Sequence, residues 1–235
     1  MHPCDFFTLG AITVPTTWFD SGCAGPRARW TSEGLLEIEG EGAVSRTLPE
    51  DVKQWRDIIV AKGTKYNLYP QFIAGVMGVE SAGQQKVSSF CCHGLMGLLP
   101  ATASSMAGHS VTAAQLLNDP DLNVDLGAKF MRYLMDKYNG NPIKTVIAYN
   151  AGSVKCGTSG KCSAPNRWNV IADCTTGGVS NDYPGKAFGY SNAAAKWLGV
   201  NPYVASTSSK SPSTGALLIG TAAVGGLLWA WGAFS

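Results

Sequence analysis

The chain has 235 residues, of which 45% are hydrophobic and 14% are charged, and this composition excludes a largely disordered chain. Its length suits one packed domain with appendages. The net charge of +2, without a run of Lys or Arg, gives no indication of nucleic-acid binding. No two cysteines have C-x-x-C spacing, and we predict neither a metal site nor a cofactor.

Residues 1–46 are predicted to be irregular or rich in β-structure. They do not resemble a signal peptide, because they lack a basic region and a proline breaks their short apolar run. Leu36 and Ile38 alternate with Glu37 and Glu39 among glycines, which predicts a short strand or hairpin. We expect this region to dock to a partner or to brace the domain that follows.

Residues 47–204 are predicted to form a domain of about five short helices. The first begins with the capping-box pattern of Thr47 and Glu50 and is expected to end at Gly63. Proline marks the later helix starts, at Pro70, Pro100, Asp119-Pro120 and Asn141-Pro142. The helix that starts at Pro120 is expected to reach about Tyr138, and a further helix is predicted over 192–198.

The C-terminal part is predicted to contain a linker over 205–214 and a transmembrane helix over 215–234. Residues 216–234 contain no charge, and a helix of that length spans about 28 Å, close to the thickness of the hydrocarbon core. Trp229 and Trp231 lie near its end, where interfacial aromatic residues are common. A buried core helix is the alternative.

The seven cysteines cannot all pair within one chain. Cys156 and Cys162 bracket a loop containing Gly and Ser, which a small disulfide would close. Thiols in a reducing compartment are the alternative, so cysteine usage leaves the redox compartment open.

Glu80 is the most informative single residue. Its spacing places it on the same helical face as Ile73, Val76 and Met77. Desolvation on an apolar face raises the pKa of a carboxyl group, and a carboxylic acid that stays protonated can act as a general acid. The alternative is a glutamate at a helix end that pairs with Arg or bonds to a loop.

Three motifs in register resemble the signature of the soluble lytic transglycosylases, which are related to goose-type lysozymes. They are Glu80-Ser81 with Ser88, Gly94-Leu95-Met96 and residues 99–103, then Asp119-Pro120 with Asn123 and Gly127-Ala128, and finally Ala-Tyr-Asn-Ala-Gly at 148–152. Order and spacing agree over about residues 70–155. The resemblance implies a lysozyme-like, mainly α-helical fold.

The resemblance also implies peptidoglycan glycan strands as the substrate. Glu80 would protonate the oxygen of the β-1,4 bond between N-acetylmuramic acid and N-acetylglucosamine. The same carboxylate would then take the proton of the C6 hydroxyl that attacks C1, which gives a 1,6-anhydro sugar. Tyr149 would hydrogen-bond Glu80 and orient it. The implied substrate-binding residues are Ser88, which would position the muramic acid unit, and Gly94, Leu95, Met96 and Asn150, which would line the glycan groove.

Two features depart from the family pattern. Gly97 stands where the family has a Gln that contacts substrate, so we expect altered affinity or stem-peptide preference. Cys91-Cys92 replaces the usual Gly-Ala. We expect a packing variant there, with a redox-responsive pair as the alternative. His93, with no further ligand at suitable spacing, is expected to be an ordinary loop residue.

The predicted topology raises a conflict, because peptidoglycan lies outside the inner membrane and no signal peptide is evident. Lys210, before the predicted span, points weakly to a cytoplasmic N-terminal side. Packaging in a bacteriophage virion, beside other tail or vertex proteins, and delivery into the host periplasm and inner membrane would remove the conflict. The alternatives are a component of a secretion or conjugation system and a housekeeping enzyme exported by an unrecognised route.

Two alternatives concern the chemistry itself. The domain would be a weak or inactive glycan-binding or structural protein if the Gly97 loop reflects loss of activity. It would be a true hydrolase if a second carboxylate, such as Asp119 or Asp125, activates water.

Overall fold

The computed structural model describes residues 6–9, 12–15, 17–20, 22–23, 25–89, 91–156, 166–174 and 177–199. Within these residues, four short strands precede a set of helices. The strands are β1 (Phe6–Leu9), β2 (Ile12–Pro15), β3 (Ala28–Trp30) and β4 (Leu36–Ile38). The helices are α1 (Glu50–Lys53), α2 (Arg56–Tyr66), α3 (Pro70–Glu80), α4 (Pro100–Ala107), α5 (Ala113–Asn118), α6 (Pro120–Lys137), α7 (Pro142–Ala151) and α8 (Tyr183–Leu198). The mainly α-helical class predicted from the sequence is confirmed.

The strands form two antiparallel hairpins, β1 with β2 and β3 with β4, so the hairpin predicted around Leu36 is present. Trp30, Leu36 and Ile38 are fully buried in the same core as the helices. Asn192 on α8 accepts a hydrogen bond from the backbone N–H of Leu36 (2.7 Å) and donates one to its carbonyl oxygen (2.9 Å). The β3–β4 hairpin therefore braces the helical domain, one of the two roles expected for this region.

Helix α3 lies at the centre of the core, and its residues 71–78 are all buried. Glycine allows α8 to pack directly on it. A Cβ added at Gly75 would lie 2.5 Å from the carbonyl oxygen of Ala187, and one at Gly78 would lie 2.9 Å from Cδ2 of Tyr190. Only glycine, which has no side chain, permits α8 to approach α3 this closely. The close contact fixes α8 beside the helix that carries Glu80.

The start of the domain differs from the prediction. The expected first helix is divided into α1 and α2, and α1 begins after Pro49 with no side-chain cap. Gly63 lies inside α2, which continues to an Asn67 cap in the left-handed conformation (φ 51°). A Cβ at Gly63 would lie 2.9 Å from Cγ of Pro70. This glycine therefore serves close packing and does not end the helix.

The predicted proline starts of α3, α4, α6 and α7 are confirmed, and α6 ends one residue before the predicted Tyr138. Helix α5, with a capping box between Thr112 and Gln115, was not predicted. Helix α8 begins at Tyr183, nine residues before the predicted start. Two glycines in its first half, Gly185 and Gly189, lower the helix propensity that the sequence shows.

The disulfide pattern corrects the expected small loop. Cys156 pairs with Cys23, with a Cα–Cα distance of 5.4 Å, because the fold brings residues far apart in sequence together. Cys174 is also disulfide-bonded, whereas Cys91 and Cys92 are free thiols.

Among the described residues, no helix is long and apolar enough to cross a membrane. The linker predicted over 205–214 and the transmembrane helix predicted over 215–234 lie outside the described residues.

Candidate active site

Glu80 is the last residue of α3, and its carboxyl group accepts a hydrogen bond from the hydroxyl of Tyr183 at 2.6 Å. Burial raises the pKa of Glu80 to about 7, although the bond from Tyr183 opposes the shift. No cation forms an ion pair with Glu80 in the described part of the chain. The raised pKa expected from the apolar face is confirmed in direction, and the carboxyl group can hold a proton near neutral pH.

Tyr149 does not make the hydrogen bond to Glu80 that the family resemblance implies. Its hydroxyl donates to the carbonyl oxygen of Met96 at 2.7 Å, and a phenol has one proton to donate. Burial, followed by the charge of Glu80, raises the pKa of Tyr149 well above its usual value. Tyr149 therefore lies within electrostatic reach of the acid, but Tyr183 is the residue that bonds to it.

Two polar side chains, those of Asn123 and Ser81, form hydrogen bonds with the backbone in and next to the Gly94-Leu95-Met96 segment. Asn123 accepts from the backbone N–H of Met96 (2.8 Å) and donates to the carbonyl oxygen of His93 (3.0 Å). The Ser81 hydroxyl donates to the carbonyl oxygen of Leu95 (2.8 Å). Leu95 and Met96 are 0% exposed, so these two residues support the site from the core and do not line an open groove as expected.

Two glycines of the same loop have left-handed backbones and close neighbours. At Gly94 (φ +77°) an added Cβ would lie 2.3 Å from Nδ2 of Asn123, so this residue serves packing. At Gly97 (φ +56°) an added Cβ would lie 2.1 Å from Oε2 of Glu80. The carboxyl group of Glu80 therefore occupies the space that a side chain at position 97 would need.

The remaining candidates lie nearer the surface and already have partners. Ser88 is exposed, and its hydroxyl lies 3.0 Å from Nδ1 of His93, which gives His93 a contact that its expected loop role did not include. The amide oxygen of Asn150 accepts from the backbone N–H of Ser180 (3.0 Å) and from its hydroxyl (3.3 Å). Asn150 thus holds the segment that leads into α8.

Comparison with known proteins gives these positions a family context. A family model described as "Transglycosylase SLT domain" matches residues 57–164, a range that includes Glu80, the loop and Tyr149. Over this range the chain is similar to transglycosylase SLT domains.

Proteins similar to this chain include phage and bacterial transglycosylases. The "Transglycosylase" of Enterobacteria phage PRD1 is 39% identical over 101 residues, which is 43% of this chain and 36% of that protein. The "Membrane-bound lytic murein transglycosylase E" of Buchnera aphidicola is 27% identical over 110 residues, 44% of this chain and 50% of that protein. The chain thus spans half or less of the length of these relatives. An inactive mutant of the lytic transglycosylase Slt from Pseudomonas aeruginosa aligns with a TM-score of 0.48, at 24% identity, over 62% of this chain and 24% of that one.

Tyr183 is the site residue that the sequence analysis missed. It lies 103 residues from Glu80 and outside the segment that carries the motifs. The available signal was the Tyr183-Pro184 pair, since proline is common in the first turn of a helix. Among the described residues, no group of three or more His, Cys, Asp or Glu side chains is placed to hold a metal ion.

Replacing Tyr183 with Phe should raise the pKa of Glu80 above about 7, because it removes the hydrogen bond that lowers this pKa. Tyr149→Phe is the matched control: it removes the bond to Met96 and should leave the pKa of Glu80 in place. Titration of ¹³C-labelled glutamate side chains by NMR measures both. A shift in Tyr149→Phe together with none in Tyr183→Phe would reverse the assignment.

Gly97→Ala should displace the carboxyl group of Glu80, since the new Cβ would occupy its position. Gly108 (φ +76°), which also has a left-handed backbone but nothing within 4 Å of an added Cβ, supplies the control. Both substitutions carry a backbone penalty of about 1 kcal/mol. We expect Gly97→Ala to lower the melting temperature further and to shift the NMR signal of Glu80. Equal effects of the two substitutions would show that the contact with Glu80 is unimportant.

Proposed function

We propose that this protein is a peptidoglycan lytic transglycosylase that cleaves the β-1,4 bond between N-acetylmuramic acid and N-acetylglucosamine. The observation that carries the proposal is the partly buried carboxyl group of Glu80, with a pKa of about 7, inside the segment that matches the SLT family model. Glu80 donates its proton to the glycosidic oxygen. As a carboxylate it then accepts the proton of the C6 hydroxyl, which attacks C1 and leaves a 1,6-anhydro end.

The positions of Asp119 and Asp125 favour this mechanism over hydrolysis by activated water. Asp119 caps α6 by accepting from the backbone N–H of Leu122 at 2.9 Å. Asp125 forms ion pairs with Lys65 (2.6 Å) and Lys62 (3.2 Å). Both carboxylates therefore already have partners elsewhere in the fold. Most glycosidases that hydrolyse their substrate need a second carboxylate across the scissile bond, and neither of these aspartates supplies one.

The environment of Glu80 also favours an enzyme over a glycan-binding protein. A buried carboxyl group without a cation destabilises a fold at neutral pH, and shifted pKa values of this kind concentrate at catalytic sites. A protein that only binds glycan has no need of such a group. The retained Glu80, with its donor Tyr183, therefore supports catalysis despite the altered residue at Gly97.

Glu80→Gln should abolish cleavage of purified sacculi, because loss of an essential general acid costs at least about a hundredfold in rate. Mass spectrometry of the wild-type products should show 1,6-anhydro ends. Reducing ends would favour the hydrolase, and near-normal turnover by Glu80→Gln would remove Glu80 from the mechanism.

A stability measurement shows whether Glu80→Gln is folded. The pKa of Glu80 is raised from about 4.5 to about 7, so its stabilising contribution is complete below pH 4.5 and is lost as the pH rises to about 7. Gln has no such dependence. Chemical denaturation should find the variant more stable than wild type at pH 8, by roughly 3 kcal/mol, with the difference vanishing near pH 4.

We further propose that the enzyme is a virion component that opens the host wall for genome delivery. The support is the likeness to a transglycosylase of phage PRD1, together with the Cys23–Cys156 disulfide, since such bonds persist in oxidising compartments outside the cytoplasm. The proposed partners are peptidoglycan, other tail or vertex proteins, and the host inner membrane through residues 215–234.

The delivery proposal predicts that the protein is present in purified phage particles and degrades wall from outside the cell. Soon after infection, protease added to spheroplasts should cut residues 49–200 while 215–234 stay with the inner membrane. The reason is that an apolar helix inserts readily, whereas a folded domain does not cross a bilayer unaided. A protected domain on the cytoplasmic side, with no protein in particles, would favour a secretion or lysis role.

A further inference from the structure

Two adjacent thiols lie in the loop beside Glu80 and have no part in the steps described above. The Sγ atoms of Cys91 and Cys92 are 2.7 Å apart, and both cysteines are free. The hydroxyl of Ser89 accepts from the backbone N–H of Cys92 (3.1 Å), and the Ser89 N–H donates to the Cys92 carbonyl oxygen (2.9 Å). This turn holds the sulfur atoms so close that a bond of about 2.05 Å requires a shift of less than about 1 Å.

We propose that Cys91 and Cys92 are a redox modification site that forms a reversible vicinal disulfide and thereby lowers the activity of the neighbouring acid. The effect on activity rests on the proposed function, whereas bond formation does not. The oxidant is a small-molecule disulfide of the glutathione class. The thiolate of Cys91 attacks it and releases one thiol, and Cys92 then loses its proton and attacks the Cys91 sulfur, which releases the second. Two cysteines lose two hydrogen atoms, and one external disulfide becomes two thiols.

The two thiols differ in a way that sets this order. Cys91 is exposed, so it can meet an external disulfide. Burial, the adjacent thiol and the charge of Glu80 raise the pKa of Cys92 to about 12. Since the thiolate is the nucleophile, Cys92 is the poorer first attacker and serves as the resolving thiol. The contribution of Glu80 also places the Cys92 thiol within electrostatic reach of the acid.

Chain geometry makes the vicinal bond easy to reduce. Adjacent Cα atoms are about 3.8 Å apart, which is less than the roughly 4.4–6.8 Å of relaxed disulfides. The bond is therefore strained, and strained exposed disulfides are the labile ones. The Cys23–Cys156 disulfide, at 5.4 Å, lies inside the relaxed range. A mild reductant should open the first bond and leave the second intact.

The loop transmits the change to Glu80 through its backbone. His93, next to Cys92, exchanges two hydrogen bonds with Leu98, at 3.0 and 3.1 Å. Leu98 follows Gly97, the position at which an added Cβ would clash with the carboxyl group of Glu80. The ring that this disulfide closes contains the peptide between Cys91 and Cys92, so its closure changes the backbone angles of Cys92, which directly precedes His93. That change shifts the bridge between His93 and Leu98, which lies next to Gly97, and disturbs the geometry of the acid.

The test compares full-length protein treated with oxidised glutathione and with mild dithiothreitol. Trypsin releases residues 87–129, where Cys91 and Cys92 are the only cysteines, so a peptide lighter by two hydrogen atoms identifies the vicinal bond. We expect this mass after oxidation, its reversal by dithiothreitol, and faster amide exchange across residues 87–98. Cleavage of sacculi should fall at least about tenfold in the oxidised form, since small misplacements of catalytic groups are costly.

Cys91→Ala is the matched control, because it removes the pair at an exposed position and keeps the Cys23–Cys156 disulfide. Its cleavage should be the same under both treatments and equal to that of reduced wild type. The proposal is overturned if oxidation does not change the peptide mass, or if amide exchange and cleavage are the same with and without the new bond. It is also overturned if cleavage by Cys91→Ala still changes on oxidation. Absence of cleavage in both redox forms would instead reject the proposed function. Peptide mass and amide exchange would then be the two measurements that test whether the disulfide forms and changes the loop.

Discussion

The hydrogen bond from Tyr183 to Glu80 is the interaction on which the site depends, because it joins the end of α3 to the start of α8 across 103 residues of sequence. Burial drives the Glu80 carboxyl group towards its neutral form, and the tyrosine hydroxyl moderates that shift. The balance leaves the pKa close to 7, where one group can give and then take back a proton. A cation in place of Tyr183 would keep Glu80 ionised and unable to serve as an acid.

Glycine makes that arrangement sterically possible at several places. Gly75 and Gly78 allow α8 to approach α3, and Gly127 leaves room for Met96, since an added Cβ there would lie 2.7 Å from the Met96 side chain. Gly97 leaves room for the acid itself. Glycine at these positions costs conformational entropy on folding, but it allows the close packing around Glu80.

Local patterns predicted much of this architecture, and long-range contacts account for the rest. Local sequence predicts the helical face that carries Glu80, because residue spacing within one helix determines it. Local sequence also predicts the starts of α3, α6 and α7, because each is marked by a proline. Tyr149 was expected to bond to Glu80, but its partner depends on competition between acceptors that only the folded chain brings together. The Cys23–Cys156 pair spans 133 residues, and no local pattern indicates it. Tyr183 was not predicted as a site residue, because it lies 103 residues from Glu80 in sequence and begins a helix whose first half contains glycine.

The position of the cysteines has a topological consequence. Every cysteine precedes residue 175, so α8 and the chain beyond it lie outside all covalent loops of the molecule. A protease cut between 23 and 156 would leave both fragments tethered through Cys23–Cys156. A cut between 177 and 182 would instead leave the C-terminal fragment attached by packing alone. If that fragment then separated from the rest of the protein, Tyr183 would leave Glu80 and the acid would lose its hydrogen-bond donor.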